Sequence, residues 1–302
     1  MARDSEASPL PRRCGTIDRN MNPDMSFQGP ELPPPDTDER FSFAKFATHP
    51  FFREVNAWLV AHAGIRRGSE VVDLGCGPGG VTELILQWMG SPPRGRVYAI
   101  DPSASALLLA AQRVRSAVVQ FIQGTAESLG SLVPPVDVVV FANAIHLIRE
   151  KAQAVSAVSR VLRPRGVFVF NTAFFDGTSP AETARFYKLW ILRAVRWVRE
   201  RGYDVARGIK PAAMQWLSPD DYRRLLQTSG FGRCTMVLQE KPVTCQGWED
   251  LSEFSMFIEG ALPGIPLDVG MEALKVGVRQ TFEELRLESV PRVWLQVIAR
   301  RT

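Results

Sequence analysis

The chain has 302 residues, 45% of them hydrophobic, and a formal charge of +4, enough for one large domain or a domain with a smaller cap. No run of five or more like charges occurs, so a nucleic-acid-binding tail is not expected. Cys14, Cys76, Cys234 and Cys245 are scattered without a C-x-x-C, and three histidines form no ligand cluster, which argues against bound metal and a disulfide framework.

Residues 1–40 are rich in Pro, Asp, Ser and Arg and end in "ELPPPDTDER", so they are expected to form a flexible arm preceding a folded domain over 41–302. The arm has no apolar leader core, and no stretch reaches the ~18 apolar residues of a membrane span. A soluble protein of the reducing cytoplasm is expected. Phe51, Phe52, Val55, Trp58 and Leu59 fall at helical spacing, His62 continues that stripe, and Gly64 is a helix stop.

From residue 70 strands and helices alternate. "EVVDL", "RVYAI", "AVVQFI", "VDVVVFA" and "GVFVFNTAF" read as strands, with helices at "VTELILQWM", "SASALLLAAQRVR" and "KAQAVSAVSRVL". Strands apolar on both faces and separated by helices predict a parallel sheet covered on both sides. After residue 175 an aromatic-rich helical stretch carries Phe186, Tyr187, Trp190, Trp197, Tyr203 and Trp216. Ser218-Pro219-Asp220-Asp221 is a helix start, with a capping Ser, Pro at the first helical position and an acid three residues after the cap. "RCTMVLQ" and "RVWLQVIAR" add two strands, with two helices expected between them. The expected architecture is a doubly wound, mostly parallel, seven-stranded Rossmann-like α/β sheet with helical cap insertions at about 176–217 and 243–290.

"VVDLGCGPGG" places four glycines between the first strand and its helix. Glycine there admits positive φ and close approach of a ligand to the backbone, and the following helix offers unpaired N–H groups. A tight strand-to-helix turn is the plain alternative. Gly75, Gly77 and Gly80 satisfy the G-x-G-x-x-G of a dinucleotide site, and Asp101 follows Gly80 by 21 positions, near the ribose-binding acid of such sites. Asp73, beside the loop, would repel a pyrophosphate and welcome an amino group. Asp101 ends the second strand, where a carboxylate can accept bonds from ribose hydroxyls.

"VVDLGCGPGG", "AIDPS", "GTAESL", "VDVVVFANAIHLI" and "VLRPRGVFVF" together resemble class I S-adenosylmethionine-dependent methyltransferases, most closely the small-molecule branch with the quinone-biosynthesis enzymes. The resemblance covers about residues 68–172 and implies S-adenosylmethionine as cofactor. It implies that Gly75, Gly77 and Gly79, with Cys76 between them, pass under the methionine part. Asp73 would support the loop or the amino group, and Asp101, with Pro102 after it, would hold the ribose. Thr125, Ala126 and Glu127 would lie by the adenine, Thr125 replacing an acid found in many relatives. Asn143, followed by Ala144, would offer its main-chain carbonyl to the amino group.

The expected reaction is methyl transfer to a small hydrophobic metabolite, at O or C. His146 is the candidate general base, with packing beneath the cofactor as the alternative, and His49 is a weaker candidate. Phe41, Phe43 and Phe46 fit either a lid over the cofactor or core packing. Arg193, Arg196, Arg199 and Arg201 form either a solvated helix face or a surface for an anionic substrate or membrane. The rival functions are an RNA or protein methyltransferase and a non-catalytic cofactor-binding protein. "FANA" replaces the D/N-P-P-Y of base amino methylases, so nucleic acid is not an expected partner; a homodimer is compatible with the sequence.

Overall fold

The computed structural model describes residues 44–206 and 216–302. The expected arm, Phe41 and Phe43 lie outside the described residues. All described residues fall in the unit 34–302. Two helices, α1 (Ala44–Ala47) and α2 (Pro50–Ala61), lead into the first strand, β1 (Glu70–Leu74). Alternation follows: α3 (Gly80–Trp88), β2 (Arg96–Asp101), α4 (Ala104–Arg113), β3 (Val119–Gln123), α5 (Leu129–Leu132), β4 (Val136–Ala142), α6 (Lys151–Val161) and β5 (Leu162–Thr172). The chain continues through α7 (Ala184–Arg199), α8 (Pro219–Thr228), β6 (Phe231–Thr244), α9 (Cys245–Leu251), α10 (Ser255–Ala261), α11 (Leu267–Leu285) and β7 (Ser289–Arg301).

The seven strands form one sheet in the order β3-β2-β1-β4-β5-β7-β6. β1 to β5 are parallel, and β7 runs antiparallel to both β5 and β6. The strand order turns back between β1 and β4, so the crevice outside their carboxyl ends is the switch point where open α/β sheets bind ligands. Central strands are buried on both faces, as Val97, Ala99 and Ile100 of β2 show. Leu59 and Val60 of α2 and Leu84 and Ile85 of α3 pack against β1 and β4 on one face. Leu129, Val158, Tyr222 and Leu226, from α5, α6 and α8, close the other. The Ser218 signal forms a capping box: its hydroxyl accepts from the Asp221 N–H at 3.1 Å while Asp221 accepts from the Ser218 N–H at 3.0 Å.

A third apolar cluster unites α7, α9, α10 and α11 with Phe46, Val55 and Trp294. Three helices, not the two expected, occupy the second insertion, because the chain turns at Ser252–Phe254 between α9 and α10. Both late strands also extend beyond their apolar segments and pair from Phe231/Arg301 to Thr244/Ser289. Trp190 is fully buried at the crossing of α7 and α11, where its indole N–H donates to the Leu274 carbonyl at 2.8 Å. Gly277 permits that approach: a Cβ there would stand 2.9 Å from the Trp190 carbonyl oxygen and 3.2 Å from the Ala194 nitrogen. Gly277→Ala is expected to destabilise the fold by about 1–3 kcal/mol through this overpacking. Urea melts read the effect, and unchanged stability would contradict the packing account.

Candidate functional site

The glycine loop leaves β1 at the switch point. Gly75, Gly77 and Gly79 all have positive φ, at 65°, 51° and 85°, but their surroundings differ. A Cβ on Gly75 would lie 3.1 Å from Ala144 Cβ and 3.3 Å from Phe141 Cε2, so this glycine lets the ends of β1 and β4 come together. A Cβ on Gly79 would lie 3.1–3.3 Å from Val114 and Ala110, so this one seats α3 against the end of α4. Gly77 alone of the three would project a Cβ into open space, with nothing within 4 Å. Cys76 is buried beside it, its N–H donating to the Ile100 carbonyl at 3.0 Å and its thiol pushed up by burial.

Two carboxylates frame the loop. Asp101 accepts from the Gly77 N–H at 2.8 Å and from the Ser103 N–H at 2.9 Å, tying the end of β2 to the loop across the exposed Pro102. Asp73 is buried, and its Oδ2 accepts from the Thr82 hydroxyl at 2.6 Å. Its Oδ1 is buried with no hydrogen-bond partner. Burial pushes the Asp73 carboxyl up to about 7, the Thr82 bond opposes this, and the charge of Asp101 adds to it. Across the switch point, Thr125 and Ser128 are tied together, Ser128 Oγ accepting from the Thr125 N–H at 3.1 Å and donating to its carbonyl at 3.0 Å. Ala126 is buried against the sheet and Glu127 is half-buried beside it.

Asn143, after β4, has φ 52° and belongs to a polar knot the sequence did not reveal. Its amide donates to Asn56 Oδ1 at 2.8 Å, and its Oδ1 accepts from the Trp294 indole at 3.0 Å. Its N–H donates to Asn171 Oδ1 at 2.8 Å, and Asn171 in turn donates to Asn56 at 3.1 Å. With the side chain so occupied, what Asn143 has for a ligand is its main-chain carbonyl.

His146 sits in the 3₁₀ turn Ile145–Leu147, buried, with Nδ1 3.2 Å from Thr172 Oγ1 and its ring stacked on Phe174 at 4.3 Å. Desolvation lowers its pKa to about 3, and the charges of Arg292 and Lys151 act in the same sense. An imidazole so weakened takes up a proton poorly at neutral pH. Its burial, its stacking on Phe174 and this shift favour the packing alternative for His146. His49 pairs with Asp250 at 2.7 Å and stacks on Phe51, whose ring lies against Trp294, so two rings separate it from Asn143. Phe46 is 1% exposed among Phe51 and Phe52 and is a core residue. Part of this basic stretch is engaged: on α7 Arg193 binds Thr281 and Glu284 and Arg196 binds Glu200, and beyond the helix Arg201 lies over the Trp197 ring. A surface cavity of about 290 Å³ between His62, Arg233 and Arg300 lies at the opposite edge of the sheet, where β5 begins.

The parallel order, with a glycine loop at its switch point and an acid closing β2, is a Rossmann-like fold of the kind that methyltransferases share. Residues 71–166 fit the family model described as a methyltransferase domain, and this match, with the relatives below, supports a class I S-adenosylmethionine-dependent methyltransferase over that stretch. Curated relatives include the "Uncharacterized methyltransferase YdaC" of Bacillus subtilis, 29% identical over 37% of this chain and 60% of that protein. They also include the ubiquinone/menaquinone biosynthesis C-methyltransferase UbiE of Salmonella paratyphi B, 26% identical over 56% of this chain and 68% of that protein. The chain thus spans less than two thirds of YdaC. Among solved structures, the YcgJ protein of Bacillus subtilis superposes with a TM-score of 0.53 at 16% identity, covering 82% of this chain and 98% of that one, a likeness of fold.

Two outcomes follow from the loop. Gly77→Ala is expected to cost about 1 kcal/mol in stability, from its positive φ alone, but to weaken cofactor binding sharply; Gly79→Ala is expected to act mainly on stability. Thermal melts beside cofactor titration separate the two, and equal effects on both readouts would contradict the assignment. The raised Asp73 carboxyl also has a pH signature. The unfolded chain ionises this group from about pH 4 while the folded chain keeps it protonated to about 7, so its contribution to stability is full below pH 4 and is lost as pH rises toward 7. Relative to Asp73→Asn, the wild type without cofactor is expected to lose on the order of a few kcal/mol across that window in denaturant melts. Parallel stability profiles would contradict it.

Proposed function

We propose that the chain transfers the methyl group of S-adenosylmethionine to a small, largely hydrophobic metabolite, at oxygen or carbon. The buried, unpartnered Oδ1 of Asp73 beside the open face of Gly77 carries the cofactor half of this reading. A carboxylate oxygen without a donor suits an ammonium group, and the Gly77 face leaves room for the chain that bears it. Asp101, held by two main-chain donors at the end of β2, is the residue that would meet the ribose hydroxyls, and the Thr125–Glu127 turn would lie by the adenine. When bound, the cofactor supplies an electrophilic methyl on a sulfonium.

The acceptor half rests on the aromatic wall beyond β5. Phe174 stacks on His146 and meets Trp216 and Phe254 at ring separations of 6.3 and 6.4 Å. Such a wall excludes water and favours a reaction in which charge falls as sulfonium becomes thioether. UbiE is named a C-methyltransferase, which keeps carbon among the acceptor atoms.

Asp101→Ala is expected to weaken S-adenosylmethionine binding about 10- to 100-fold, as loss of charge-assisted bonds to the ribose. Calorimetry reads this, and unchanged affinity would overturn the site assignment. Formation of S-adenosylhomocysteine against a panel of aromatic and aliphatic hydroxy compounds tests the reaction. Efficient methylation of bulk RNA or protein instead would favour the rival enzymes, and tight binding with no turnover on any acceptor would favour a non-catalytic protein.

A further inference from the structure

Arg292 of β7 is 2% exposed, and among the described residues its guanidinium has no carboxylate partner. Other well-covered cations have one: Lys275 pairs with Glu253, Arg193 with Glu284 and Lys241 with Glu54. A buried charge without a counter-charge is costly, so its retention asks for a reason. One Nη donates to the Ala173 carbonyl at 2.7 Å, while Nε is buried with no acceptor. The guanidinium lies 4.7 Å from the Phe174 ring centre and 5.4 Å from that of Trp248, and these contacts offset part of the cost.

The neighbours repeat the pattern. The Tyr187 hydroxyl is near enough to support the charge of Arg292 yet makes no hydrogen bond of ordinary geometry. The indole N–H groups of Trp248 and Trp216 are also buried without acceptors. Tyr187 and Trp248 pack edge to face at 5.5 Å, and Trp216 meets the same Phe174 that Arg292 covers. Arg292 thus lies against Phe174 and Trp248, Trp216 flanks the first ring and Tyr187 the second, and among the described residues the Arg292 Nε and the two indole N–H groups have no acceptor. The other face of that neighbourhood is His146, at the carboxyl edge of the sheet. Buried donors in native proteins are paired with few exceptions, so a cluster of unpaired donors around a cation marks a place for an anion.

We propose that Arg292, with Tyr187, Trp248 and Trp216, binds an anionic oxygen of the methyl acceptor, so that the substrate class is an apolar molecule carrying a carboxylate or an ionised hydroxyl. The proposal rests on the methyltransferase reading above. An oxygen held ionised by Arg292 has no proton to surrender, so its methylation needs no histidine base.

The test is binding of benzoate, phenylacetate and hexanoate, each against its neutral amide, to the full chain saturated with S-adenosylhomocysteine. At least one carboxylate is expected to bind at least about tenfold more tightly than its amide. Arg292→Gln is expected to erase that preference while leaving S-adenosylhomocysteine affinity unchanged, and Arg292→Lys to retain part of it. Should Arg292→Gln fail to fold, Tyr187→Phe, which keeps the ring, is expected to narrow the preference several-fold. Carboxylates and amides binding alike, no carboxylate binding, or a preference that survives these substitutions would overturn the proposal. S-adenosylhomocysteine binding with silent carboxylates would sink the anion site alone; failure of S-adenosylhomocysteine itself to bind would sink the methyltransferase reading as well.

Discussion

Burying a carboxylate is unfavourable unless donors surround it, and Asp73 is buried with only one oxygen bound. The switch-point architecture forces this: β1 runs in the middle of the sheet, between β2 and β4, and its last residues have no solvent to reach. Thr82, one turn into α3, supplies the single donor and so ties the helix to the strand it follows. The glycines then solve three different steric problems. Gly75 lets β1 meet β4, Gly79 lets α3 meet α4, and Gly77 keeps a face clear. The unsatisfied oxygen closes β1 and the clear face belongs to the loop that follows it, and a ligand with an amino group on a slender chain would suit both.

The antiparallel end of the sheet is the counterpart on the acceptor side. Arg292, Trp294 and Gln296 alternate along β7 and share one face of it. Each donates across to another part of the domain: Arg292 to the Ala173 carbonyl after β5, Trp294 to Asn143 after β4, and Gln296 to the Val55 carbonyl in α2. This row joins the helical cap to the parallel strands and fixes Asn143 in its left-handed conformation. The cap helices between β6 and β7 are therefore coupled through β7 to the edge where the cofactor would lie.

Much of this fold was legible because its signals are local. Uninterrupted apolar runs marked β1, β2 and β4, and the Ser218-to-Asp221 spacing marked the start of α8. The late strands were read too short, since the polar residues of β6 (Gln239, Glu240, Lys241) lie on a half-exposed edge and interrupt the apolar pattern. The glycine loop and Asp101 were visible as a candidate site because their spacing is fixed by the strand–loop–helix turn. Asn56, Asn171 and Arg292 were not, because each is a polar residue inside an apolar segment whose meaning depends on a partner far along the chain. Thr82 is near in sequence to Asp73, but a threonine in a first helical turn carries no mark of the carboxylate behind it. His146 was read by position, and burial, which position does not show, alters its chemistry.

The account stands on the unpartnered oxygen of Asp73 receiving the cofactor's ammonium group, and proton linkage reads that contact directly. Calorimetric titration of S-adenosylhomocysteine at pH 6.5, in buffers of different ionisation enthalpy, measures protons exchanged on binding. Asp73, held up to about 7 by burial, is mostly protonated before binding and would ionise against the ammonium. Release of roughly three quarters of a proton per cofactor is expected in the wild type, and none from this group in Asp73→Asn. Binding with no linked proton, or with the same release in the variant, would contradict it.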